Sequence, residues 1–108
     1  MKSLFDQISV DCSKIVTKTY STSFSMATKM LHPSIRNHIY NIYGFVRFAD
    51  EIVDSFHNYP KKLLLNRFEE DLYLSLNQKI SLNPILNSFQ HTVNKFEIDT
   101  NLIKAFMR

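Results

Sequence analysis

One glycine in 108 residues constrains this chain more than any other feature. Sheet proteins turn tightly and often, and those turns draw on Gly, Asn and Pro at positions of special backbone geometry. A single Gly and 3 Pro are too few to punctuate a sandwich or a barrel, and helix formers dominate between them. The expected fold is therefore all-α. At this length it makes one domain with a modest core, spanning residues 1–108. Gly44 itself falls inside the longest helical stretch, where it costs about 1 kcal/mol relative to Ala. Its presence implies that something packs closely against the backbone there, either a neighbouring helix or a ligand.

Apolar spacing places the helices. The first runs from about Ser3 to Thr19, with Leu4, Phe5, Ile8, Cys12, Ile15 and Val16 as its core face. Ser3 is its expected N-cap, with Asp6 in the first turn. The hydroxyl cluster Tyr20-Ser21-Thr22-Ser23-Phe24-Ser25 reads as a break before a short helix that begins near Met26. Its Ser hydroxyls suit either a plain N-cap or phosphate oxygens. A long helix spans Pro33 to Ser55. Another follows Pro60 to about Asn77, with Leu64, Leu65, Phe68, Leu72, Tyr73 and Leu76 inward. Pro84 opens a helix carrying Ile85, Leu86, Phe89, Val93 and Phe96, and Asp99 is the N-cap of one more. That last helix reaches Arg108 with no Gly, Pro or capping residue, so the sequence reads as the N-terminal part of a longer helical unit.

Charge and composition narrow the partners. An apolar fraction of 44% with 9 Phe and 5 Tyr marks a globular chain rather than a disordered one. The net charge of +3, from 13 basic and 10 acidic residues, comes without any basic run of the kind that binds nucleic acid. It suits an anionic small substrate or an anionic membrane surface without demanding either. A lone Cys12 cannot form an internal disulfide, which fits a reducing cytosol. No leader pattern is evident, and no apolar run approaches the ~18–20 residues of a spanning helix. The expected location is cytoplasmic, with room for peripheral membrane contact.

The long helix carries the candidate chemistry. With Asp50 at zero and about 100° per residue, Asp54 falls at about 40°, Arg47 at about 60° and Tyr43 at about 20°, with Arg36 at about 40° and Tyr40 at about 80°. Two carboxylates, two guanidiniums and two phenols thus share one stripe, opposite an arc of Ile42, Phe45, Val46, Ala49, Ile52, Val53 and Phe56. Standing alone, such an acidic pair is most often a solvated face. Aromatic rings among the charges point away from a stripe meant only for water.

Two blocks together give the pattern a context. Tyr20-Ser21-Thr22-Ser23-Phe24 resembles the S-x-S-F segment of the squalene/phytoene synthase family. Tyr43-Gly44-Phe45-Val46-Arg47-Phe48-Ala49-Asp50-Glu51-Ile52-Val53-Asp54 resembles that family's first aspartate-rich motif, preceded by Y-x-x-x-R. The order and spacing agree, and the D-E-x-V-D form looks more like phytoene synthases than squalene synthases. The resemblance implies an isoprenoid-synthase-type helical bundle that joins two prenyl diphosphates head to head. By that resemblance Asp50 and Asp54 bind Mg²⁺ bridging to a substrate diphosphate, and Arg47 holds the same diphosphate. Ser21 and Ser23 add hydroxyls around it, Phe24 faces the prenyl chain, and Tyr43 faces the developing cation. The substrate that the resemblance implies is geranylgeranyl diphosphate, or farnesyl diphosphate in a squalene-type reaction. Two departures stand out. Many relatives carry His where this chain has Tyr20, and no second D-x-x-x-D follows Asp54. The expectation is half of an active site that is inert alone. A non-catalytic helical binding module is the alternative.

Overall fold

Prolines and short polar caps punctuate the chain. A computed structural model describes residues 1–107, which form six helices: α1 (Lys2–Tyr20), α2 (Thr22–Thr28), α3 (Pro33–Ser55), α4 (Lys61–Gln78), α5 (Pro84–Phe96) and α6 (Thr100–Met107). No strand occurs among the described residues, and the fold class is all-α as expected. Pro33 and Pro84 open α3 and α5, where a missing N–H is no loss. Asn83 Oδ1 accepts from the amides of Ile85 (3.0 Å) and Leu86 (3.3 Å), and Asp99 Oδ1 accepts from that of Asn101 at 2.9 Å. With the one glycine used inside α3, α4 and α5 end on Lys79 (φ 60°) and Glu97 (φ 52°) in the left-handed region, which usually falls to Gly. The expected course of the last helix to Arg108 lies outside the described residues.

Two local expectations are corrected. Ser3 does not cap α1, because the helix already begins at Lys2 behind Met1. Asp6 instead pairs with Lys2 at 2.7 Å and accepts from Asn87 Nδ2 at 2.9 Å. The hydroxyl cluster is largely helical. Ser21 is extended (φ −149°, ψ 95°), and its Oγ accepts from the Phe24 amide at 3.1 Å. That one cap lets α2 start at Thr22 rather than near Met26.

The apolar core lies where α3, α4, α5 and α6 meet. Phe45, Ala49 and Ile52 of α3 pack with Phe68 and Leu72 of α4, with Ile85, Leu86, Phe89 and Val93 of α5, and with Ile103 of α6. The Phe45 ring lies 3.9 Å from that of Phe89 and 5.7 Å from that of Phe68, nearly parallel to both.

The inner face of α1 departs from the apolar pattern. Its buried residues are Ser9, Ser13 and Thr17, while Leu4, Ile8 and Ile15 are 55%, 48% and 62% exposed. Only Cys12 and Val16 of the expected core face reach the core, and they do so from its edge. The reason is close approach. A Cβ on Gly44 would stand 3.0 Å from Ser13 Oγ and 3.3 Å from Ser13 Cα, so large side chains cannot enter between α1 and α3. The glycine is explained by a helix rather than a ligand. Ser13 and Ser88 share a hydrogen bond of 2.6 Å between their hydroxyls. Asn87 Nδ2 also donates to Ser9 Oγ at 3.0 Å. These bonds satisfy polar groups that burial would otherwise strand. No described helix is long and apolar enough to cross a membrane.

Candidate functional site

α3 divides into a buried arc and an open one. The buried arc holds His38, Tyr40, Asn41, Gly44, Phe45, Ala49 and Ile52. Tyr40 was expected on the acidic stripe, yet it is 2% exposed, with Lys14 Nζ 5.9 Å from its ring centroid. Arg36 also leaves the stripe. Its Nε donates to the Leu31 carbonyl at 2.8 Å and ties down the link between α2 and α3. Val53, expected inward, is half exposed. The buried arc is turned towards Tyr40 because α1 presses on Gly44 from that side.

Tyr43, Arg47, Asp50 and Asp54 remain. Asp50 is half-buried and Asp54 exposed. Their spacing puts their Cβ atoms about 5–6 Å apart on one face. Neither carboxylate makes a hydrogen bond or ion pair to another described residue. Phe24 reaches across from α2 and stacks on Tyr43, with ring centroids 4.8 Å apart. The hydroxyl block and the aspartate helix therefore meet through an aromatic pair. Ser21 is occupied as the cap of α2, and Ser23 is exposed beside it.

Arg47 is the most constrained member. Its guanidinium donates to Glu51 Oε2 at 2.9 Å, and the Tyr20 ring lies 4.8 Å from its central carbon. Its Nε is buried without a partner. Burial works against this charge, but the hydrogen bond to Glu51 and the nearby Asp50 and Tyr20 outweigh it and hold the guanidinium above its usual range. Glu51 is held below its usual value by the Ser55 hydroxyl, by Arg47 and by Tyr20. The Tyr20 phenol is pushed up by partial burial and by the Glu51 carboxylate. Sequence reasoning left Tyr20 without a role and passed over Glu51. The signal was present in the i, i+4 spacing of Arg47 and Glu51. Tyr20 and Glu51 also wall a cavity of about 450 Å³, lined by apolar side chains such as Phe48, Ile52 and Phe68 and by the polar Arg67, Asp71 and Asn83.

The donor set is one that a hydrated cation can use. No group of three or more His, Cys, Asp or Glu side chains converges among the described residues, so these residues offer no all-protein cage. Two unpartnered carboxylates on one helix face do match Mg²⁺, which keeps several waters and takes phosphate oxygens beside one or two carboxylates. Arg47, with a donor to spare, stands one turn away.

The model of the squalene/phytoene synthase family matches residues 17–108. No curated protein and no solved structure matches the chain. The matched span takes in the end of α1, the Ser21–Phe24 block and the whole of α3, so the pieces that meet at Tyr43 and Arg47 lie within one family pattern. The chain belongs to the squalene/phytoene synthase family, head-to-head prenyltransferases of isoprenoid biosynthesis.

Proposed function

We propose that this chain supplies one wall of a Mg²⁺-dependent prenyl diphosphate site, of the phytoene synthase type that condenses two geranylgeranyl diphosphates in carotenoid biosynthesis. The observation that carries the reading is the pair Asp50 and Asp54, side by side on the open face of α3 and free of partners among the described residues. Mg²⁺ bound there would neutralise charge on a departing diphosphate. Asp50 and Asp54 would hold the cation. Arg47 offers the guanidinium donors that Glu51 does not take to diphosphate oxygens. The Ser21 hydroxyl keeps its proton to donate while its oxygen caps α2, and Ser23 adds a second hydroxyl. The stacked rings of Phe24 and Tyr43 give the prenyl chain an apolar surface, and the Tyr43 face stabilises positive charge as it develops. The D-E-x-V-D form favours the phytoene type over a squalene-type reaction of farnesyl diphosphate. Because no second D-x-x-x-D follows Asp54 within these 108 residues, they bind substrate without turning it over. The setting is the cytoplasm, with the greasy substrate reached by peripheral contact with a membrane.

Calorimetric titration with geranylgeranyl and farnesyl thiolodiphosphates, with and without Mg²⁺, tests this. Mg²⁺-dependent binding that Asp50→Ala or Asp54→Ala weakens at least about tenfold supports the site, and the tighter of the two ligands names the reaction type. Binding that ignores Mg²⁺ and both substitutions overturns it in favour of a non-catalytic helical module.

A further inference from the structure

Arg47 has two carboxylates within reach along its own helix. Asp50 stands three residues on and Glu51 four, and both spacings bring side chains together. The competition is settled for Glu51, at 2.9 Å from the guanidinium, while the Tyr20 ring covers Arg47 from the end of α1. The Arg47 and Glu51 side chains are 25% and 23% exposed, so water and salt screen this pair less than an ordinary surface pair. The arrangement leaves Arg47 Nε buried and unpaired, which costs stability and marks a constraint rather than an idle surface contact. Its other consequence falls on Asp50, which has no described partner although a guanidinium stands one turn away.

We infer that Glu51 is a positioning residue for the acidic pair: by holding Arg47 against Tyr20 it keeps the guanidinium off Asp50, so that Asp50 and Asp54 stay available together to a divalent cation. The inference rests on the reading of those aspartates as Mg²⁺ ligands given above. Without Glu51, the carboxylate left in reach of Arg47 is Asp50, and a positive charge would then occupy half the pair. Glu51 also attracts a cation simply by being negative, and both effects weaken binding when it is neutralised. They separate on Arg47, because attraction by charge does not need Arg47 and positioning does.

Mg²⁺ alone, titrated into the wild-type chain, Glu51→Gln, Arg47→Gln and the double variant, and followed by the backbone amide signals of Asp50 and Asp54, makes the separation. Glu51→Gln is expected to raise the dissociation constant about five- to tenfold where Arg47 is present, and less than about twofold in the Arg47→Gln background. Equal weakening in both backgrounds overturns the role of Glu51 and leaves the metal reading intact. No response to Mg²⁺ in the wild-type chain overturns the metal reading, and the role of Glu51 at a metal site with it. A metal-free comparison locates Arg47 independently. In Glu51→Gln, adding Asp50→Asn should shift the Arg47 Nε–H resonance, because the guanidinium has moved to Asp50. An unchanged resonance overturns the repositioning of Arg47, whatever the metal does.

Discussion

Two seams hold this bundle, and they work by opposite means. Along one, Phe45 lies flat between Phe89 and Phe68 among aliphatic side chains, and bulk does the holding. Along the other, α1 meets α3 and α5 through Ser9, Ser13, Thr17, Gly44, Asn87 and Ser88. There the side chains are small, the backbones come close, and hydrogen bonds replace apolar area. The first seam tolerates changes of shape that conserve volume. The second tolerates no added atom, and every polar group in it needs its partner. The acidic stripe of α3 lies on the face that neither seam covers.

The largest effect should come from emptying the apolar seam. Phe45→Ala removes a ring that is 2% exposed and should destabilise the chain by about 3–5 kcal/mol, read as a lower denaturant midpoint. A loss below about 1 kcal/mol would show that bulk is not what holds this seam.

The close seam breaks the other way, by addition. Gly44→Ala gains about 1 kcal/mol of helix preference, yet its methyl meets Ser13 Oγ at 3.0 Å and the Ser13 backbone at 3.3 Å. Ser13 is also tied to Ser88, so α1 cannot simply slide. A net loss of about 1–2 kcal/mol is expected. A stabilised Gly44→Ala would show that α1 gives way freely.

Ser88→Ala should cost about 1 kcal/mol by leaving the Ser13 hydroxyl buried and alone. Ser13→Ala and Ser88→Ala together should cost less than the sum of the two. Strict additivity would mean that the 2.6 Å bond contributes nothing as a pair.

The smallest effect lies at the end of the polar contacts between α3 and α5. His38 is buried, with Nδ1 2.9 Å from Thr92 Oγ1, which also accepts from Asn41 Nδ2 at 3.0 Å. Burial, then Lys95 and His91, hold the imidazole below its ordinary value of 6.5. The unfolded chain therefore takes up this proton first as the pH falls. The stabilisation is whole above about 6.5 and is lost progressively below it. Melting temperatures from pH 8 to pH 5 should fall in the wild-type chain and fall less in His38→Asn. Equal falls would assign the pH dependence to other groups.

Much of the architecture could be read from residues alone. Pro33, Pro84 and Asp99 set helix starts through local chemistry, and α3 begins and ends where the sequence placed it. Phe45, Phe68, Leu72, Phe89 and Val93 were recognisable as core because large apolar residues at helical spacing have few other uses. The hydroxyl block and the aspartate helix could be paired by resemblance, though not by periodicity. The α1 face was misread because periodicity counts apolar residues and is blind to how near two backbones come. Tyr40 was misplaced for a related reason: a helical wheel fixes angles about an axis but not which side the neighbours take.

The sequence by itself determined the helical class, the starts of α3, α5 and α6, the large-residue core and the alignment of Asp50 with Asp54, since each rests on local spacing along the chain. Tertiary structure alone decided that Ser13 rather than Ile15 faces inward, that Gly44 serves a helix crossing, and that Phe24 lies on Tyr43. It also decided which partners share Arg47, because Tyr20 reaches the guanidinium only once α1 lies along α3. Contacts between helices depend on distances that no spacing along the chain encodes.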